Sequence, residues 1–113
     1  MALLGGEGQG PGTGPAESGP VQVTAAPNLT HGDPIRFLIH LDRPGRVRLV
    51  LFSLAGEEVY GTQAQGNAGG NVIPWDLRGP SGSPVASGLY LYVVSVENHE
   101  GTVTRAGKVA VLR

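Results

Sequence analysis

The sequence predicts an all-β domain in which two sheets pack face to face, preceded by an extended leader. Three observations predict it. From Val21 onward, apolar and polar residues alternate with period two, the spacing of strands that bury one face. Clusters of Gly, Pro, Asn and Asp interrupt the alternation about every ten positions, as turns do in a sandwich of short strands. No stretch carries the 3.6-residue spacing of an amphipathic helix.

The chain has 113 residues, room for one domain. Ten of residues 1–20 are Gly or Pro, so this part reads as a leader that cannot bury enough apolar surface to offset its own ordering. The same composition suits a segment that lies extended over a partner. Residues 21–113, that is 113 − 20 = 93 residues, form the folded body. A body of that size buries roughly 65% of the surface its unfolded chain exposes, enough for one modest core.

Seven strands are expected. Val21–Ala26 comes first and ends at the breaker Pro27-Asn28. In Ile35–Leu41, residues Ile35, Phe37, Ile39 and Leu41 share one face, and Arg36, Leu38 and His40 the other. The turn Asp42-Arg-Pro-Gly45, with proline presetting φ, leads into 46–54, where Val47, Leu49 and Leu51 alternate with Arg46, Arg48, Val50 and Phe52. Leu54-Ala-Gly56 bends the chain into 57–62, and a polar loop, 63–70, follows. The strand 71–76 contains Pro74, which cannot donate to a ladder, so it is expected at an edge or broken there. Gly88 opens the longest strand, 89–96, and Asn98-His-Glu-Gly101 turns it back into 102–112. Seven short strands joined by local hairpins favour a seven-stranded immunoglobulin- or fibronectin III-like β-sandwich over a barrel.

Charge and composition exclude several classes of function. Eight Lys+Arg against nine Asp+Glu give a net charge of −1, without the basic footprint of a nucleic-acid binder. Hydrophobic residues make up 40% of the chain, yet no apolar run approaches the eighteen or so needed for a bilayer span, so a soluble chain is expected. There is no cysteine, hence no disulfide and no thiolate metal site. Met1-Ala2-Leu3-Leu4 passes at once into glycine, with neither the basic nor the apolar region of a cleaved signal.

Catalytic constellations were sought and none emerges. His31, His40 and His99 lack ligand-like spacing and fall beside turns or on a polar strand face. Glu57 and Glu58 are adjacent, so in a strand they point to opposite faces and cannot work as a dyad. Gly82-Ser-Pro84 is not a nucleophile elbow, because no helix follows it, and no phosphate-binding Gly-Lys-Ser/Thr occurs. Asp33, Asp42 and Asp76 offer loop oxygens to calcium, without the DxDxDG run of a dedicated site. Asn28-Leu-Thr30 matches a glycosylation sequon. The expectation is a non-enzyme with no cofactor and no small-molecule substrate.

The order of features resembles a known family. Pro27-Asn28, Ile35-Arg-Phe37, Pro44-Gly-Arg-Val-Arg-Leu49, Leu54-Ala-Gly56, Trp75-Asp76, 82–90 (GSPVASGLY) and Lys108-Val-Ala-Val-Leu112 together resemble the immunoglobulin-like C-terminal domain of flagellar hook-capping proteins. They are similar also to the C-terminal sorting domains of secreted bacterial proteins, including those of type IX secretion. The likeness covers residues 21–113, and its most specific piece is Trp75-Asp76 followed, after a Gly-rich turn, by 84–90. Independently of it, Trp75, the one tryptophan, is expected to cap the core end where the sheets meet, ahead of a loop in which Gly79, Gly82 and Gly88 permit tight reversals. Tyr90, which ends the run 84–90, is read as structural. Asp76 is read as accepting backbone N–H groups from the turn after it rather than binding a metal.

Two departures from the family pattern are informative. Leu29-Thr30-His31 stands where a proline-aromatic pair is usual, so the opening corner is expected to pack differently. If Leu49 and Leu51 face inward with Tyr90, Tyr92 and Val94, then Val50, Phe52, Leu91 and Val93 face outward on neighbouring strands, an apolar patch suited to docking. A reversed register, or the leader folded back over the patch, would remove it. The resemblance implies a periplasmic or extracellular location and, with the patch, a non-catalytic accessory or structural subunit of a bacterial cell-envelope assembly. Its partners would be other protein subunits of an envelope or membrane-associated complex. The alternative it implies is a C-terminal sorting or anchoring domain of a longer secreted protein.

Overall fold

The computed structural model describes residues 20–113, and within them it holds strands and no helix. The elements are β1 (Val21–Ala26), β2 (Leu29–Thr30), β3 (Ile35–Leu41), β4 (Gly45–Ser53), β5 (Glu58–Gly66), β6 (Gly69–Trp75), β7 (Gly88–Asn98) and β8 (Gly101–Val111). A three-stranded sheet runs β1-β3-β6, and a five-stranded sheet runs β2-β8-β7-β4-β5. The two pack face to face as an immunoglobulin-like sandwich.

The described strands therefore number eight, not seven. The extra one, β2, is two residues long and pairs in parallel with Ala110 and Val111. Two residues have no alternation to read, and the partner lies at the far end of the chain. Thr30 fixes this corner: its buried hydroxyl donates to the Asp33 carbonyl at 2.7 Å and accepts from Gly32 N–H at 3.2 Å. The expected loop at 63–70 is also shorter in fact. β5 continues to Gly66 because Gln63 and Gln65 take the outward positions of a ladder with β4.

β3 is the middle strand of its sheet, and its burial alternates residue by residue. Among the described residues β6 pairs with β3 alone, so Pro74, opposite Arg36, sits on an edge strand, the place in a sheet where a residue without an N–H is tolerated. The core fills the gap between sheets with Ile35, Phe37, Ile39 and Leu41 from one side and Val47, Leu49, Leu51, Tyr90, Tyr92, Val94 and Val96 from the other. Each such side chain contributes about 1.5–3 kcal/mol through removal from water. Arg105 on β8 reaches across the sandwich edge, its Nε donating to the Val21 carbonyl at 3.2 Å.

Candidate functional site

Residues 75–90 build a rigid corner. Trp75, fully buried, donates its indole N–H to the Arg78 carbonyl at 3.1 Å. Its ring meets Tyr90 edge-on at 5.7 Å and stacks on Tyr60 at 6.3 Å, so one side chain of the three-stranded sheet engages two of the other. The Tyr90 hydroxyl donates to the Ala86 carbonyl at 2.6 Å, and burial pushes its pKa above 10.0, with Arg113 pulling the other way. Gly88 begins β7 with φ of 156°.

Asp76 does not do what the sequence suggests. Its exposed carboxylate lies 3.8 Å from Arg78 Nε and, among the described residues, accepts no backbone N–H. The loop closes itself instead: Val85 N–H bonds to Leu77 O, Gly79 N–H to Ser83 O, and the Arg78 guanidinium to Gly82 O at 2.7 Å. Leu77 turns the chain with φ of +66° while its side chain is buried, a combination that no sequence pattern announces.

The outer face of the five-stranded sheet holds the four residues expected there. β4 and β7 are antiparallel neighbours, and the register sets Val50 opposite Val93 and Phe52 opposite Leu91. Extending across β8 and β5 gives four cross-strand rows. Lys108, Leu91, Phe52 and Glu58 form the first, and Ala106, Val93, Val50 and Gly61 the second. Thr104, Ser95, Arg48 and Gln63 form the third, and Thr102, Glu97, Arg46 and Gln65 the fourth. The face is apolar at one end and polar at the other.

Exposure within it is uneven. Leu91 is 40% exposed, and Phe52 and Val93 are half-buried. Val50 corrects the expectation of four exposed side chains: it is only 8% exposed, lying between Val93 and Gly61, where the Glu58 carboxylate also folds. Two leucines extend the apolar end, Leu89 at 44% and Leu29 at 46% exposed. Leu89 shares the parity of Leu91 and Val93, so alternation alone could have placed it outward. Leu29 arrives only through the parallel pairing with Ala110.

The remaining candidates do not assemble. Among the described residues no group of three or more His, Asp or Glu could hold a metal ion, and Asp33, Asp42 and Asp76 form no such cluster. The His31 ring, through Nδ1, bonds the Leu112 carbonyl at 3.1 Å. An open depression of ≈ 820 Å³ at the polar end is lined by Arg43, Arg46, Glu97 and His99 among others, and there Arg43 is paired with Glu100. No described helix is long and apolar enough to cross a membrane. The expected leader, residues 1–20, lies outside the described residues except for Pro20. What the described surface offers chemically is an apolar contact area bordered by fixed charges.

No protein-family model matches the sequence, and no curated protein matches it. Solved structures match its fold. Dimeric latent PorU from Porphyromonas gingivalis aligns over 83% of this chain at 23% identity with a TM-score of 0.69, and the shared part is 10% of the PorU chain. FlgD from P. aeruginosa aligns over 78% of this chain and 72% of its own at 18% identity, with a TM-score of 0.61. FlgD from Xanthomonas campestris, described for hook capping essential to flagellar assembly, aligns over 78% and 60% at 18% identity, with a TM-score of 0.55. The chain thus has the immunoglobulin-like sandwich that the sequence resemblance implied.

Proposed function

We propose that this chain is a non-catalytic accessory or structural module of a larger bacterial cell-envelope assembly, placed in the periplasm or outside the cell. It docks onto other protein subunits through the outer face of its five-stranded sheet, with Phe52, Leu91 and Val93 as the contact and Val50 as the floor beneath it. The observation that carries the reading is Leu91, 40% exposed beside half-buried Phe52 and Val93 on a central strand pair. A monomer gains nothing from such a strip in water, whereas a partner removes it. Residues 1–20 enter by composition alone, as a segment able to lie extended across a neighbour. The test is fractionation of the host bacterium with wild-type and Leu91→Asp chains at equal expression. The reading expects the wild type in the envelope fraction and the variant lost from it; equal partition of the two sinks it.

A second reading is favoured by the PorU likeness, in which this fold occupies a small share of a much longer chain. Residues 21–113 would then be a sorting or anchoring domain whose cargo precedes it. Fusing the domain behind an inert reporter in a bacterium with type IX secretion decides this: surface display of the reporter supports it, and retention inside the cell refutes it.

A further inference from the structure

The charges around the apolar strip are arranged so that the face complements itself. Each row runs across β8, β7, β4 and β5, and a two-fold axis parallel to the strands, between β7 and β4, reverses the order of every row in a facing copy. In the first row that operation sets Lys108 over Glu58 of the second copy, with Leu91 over Phe52. In the fourth it sets Glu97 over Arg46 of the second copy. The second row brings Val93 over Val50, and Ala106 over the Gly61 position across which the Glu58 carboxylate folds. The third row sets Ser95 over Arg48 and meets no like charge. Every charge on the patch finds an opposite or neutral group, twice over.

We infer that the occupant of this face is a second copy of the same chain, in a symmetric sheet-on-sheet dimer. The inference rests on the docking-face reading above and names its partner. The size is adequate. With strands about 4.8 Å apart and same-face residues about 6.8 Å apart, the four rows plus Leu89 cover roughly 550 Å² per copy, or about 1,100 Å² in all. That clears the roughly 1,000 Å² expected of a biological interface. Stacked twisted sheets also pack aligned, as two copies related by this axis do.

Mixing experiments isolate the pairing between copies. In Arg46→Glu the reversed residue faces Glu97 of its twin, and in Glu97→Arg the reversed residue faces Arg46 of its twin. Either variant alone puts like charges across the interface at both symmetric positions, so its dimer dissociation constant rises by about two orders of magnitude. A one-to-one mixture of the two variants restores opposite charges across the interface, while the like charges within each chain remain. Sedimentation of the 113-residue chains reads the result. Expected are a concentration-dependent wild-type dimer that weakens with added salt, two monomeric variants, and a mixed dimer. A wild type that stays monomeric at high micromolar concentration overturns the inference, as does a mixture no tighter than its components. A monomeric wild type whose Leu91→Asp variant is still lost from the envelope fraction overturns the second copy and leaves the docking face standing for another protein.

Discussion

The ring of Tyr92 occupies the space that a side chain at Gly107 would need: a β-carbon built there falls onto the ring's Cζ, hydroxyl and Cε2 atoms. The two are register partners on β7 and β8, and the same ring meets Phe37 of the opposite sheet edge-on at 5.1 Å. Glycine at 107 is thus a packing requirement for the aromatic contact between sheets. Gly107→Ala should cost about 1–3 kcal/mol by overpacking. Combining it with Tyr92→Leu should be less damaging than the sum of the single changes, measured by urea unfolding. Additive losses would mean the ring has room to move aside.

Trp75→Phe keeps an aromatic ring but loses the N–H bond to the Arg78 carbonyl and part of the contact with Tyr60 and Tyr90. A loss of about 2–4 kcal/mol is expected, of which about 1–3 comes from the orphaned carbonyl. Thermal unfolding of the variant checks it, and a Tm unchanged from wild type contradicts it.

At Leu77 the ordinary ranking of small residues should invert. Leu77→Ala removes a buried side chain yet keeps a β-carbon at φ of +66°, whereas Leu77→Gly removes the same packing and relaxes the backbone. Both destabilise by about 2–5 kcal/mol. The glycine variant should nevertheless be the more stable by about 1 kcal/mol, read from paired denaturation curves.

Tyr90 links stability to alkaline pH. Its folded pKa is raised above 10.0, chiefly because burial disfavours the phenolate. The contribution is therefore complete below pH 10 and declines as pH rises through the folded-state value. Tyr90→Phe, which also gives up the bond to the Ala86 carbonyl, should be less stable at pH 8 and should lose less of its Tm than wild type between pH 9 and 11. Parallel Tm curves across that window would contradict it.

The outer face should tolerate charge unevenly. Leu91→Asp, at a 40% exposed position, should cost about 1 kcal/mol and leave the fold intact. Val50→Asp, at an 8% exposed position one row away, should cost more than twice that. Circular dichroism with urea titration distinguishes the two.

The contrast between Val50 and Leu91 also marks how far the sequence can be read. Alternation placed both on the outer face correctly, because parity follows from the pleat and needs no neighbours. Exposure is different, since it depends on what the adjoining strand carries: Gly61 and the folded-over Glu58 carboxylate beside Val50 come from β5 through a register that no local pattern states. Asp76 failed for a related reason. The turn it was expected to cap is closed by backbone bonds around Leu77, whose positive φ leaves no signature in the residue type. The longer strands were visible where alternation repeats, as in Ile35–Leu41, while the polar second half of β5 reads as loop and Leu29-Thr30 is defined by a partner strand rather than by its own residues.

That parallel pairing constrains how the molecule comes into being. Leu29 and Thr30 acquire their ladder only when Ala110 and Val111 are present, and Arg113 ties the closing end to the Val85 carbonyl and the Ser87 hydroxyl. A nascent chain still held at the ribosome by those residues has no finished sheet to collapse onto. Closure of the domain therefore waits until residues 110–113 are free to pair, so two segments some eighty positions apart in the chain are completed in one step.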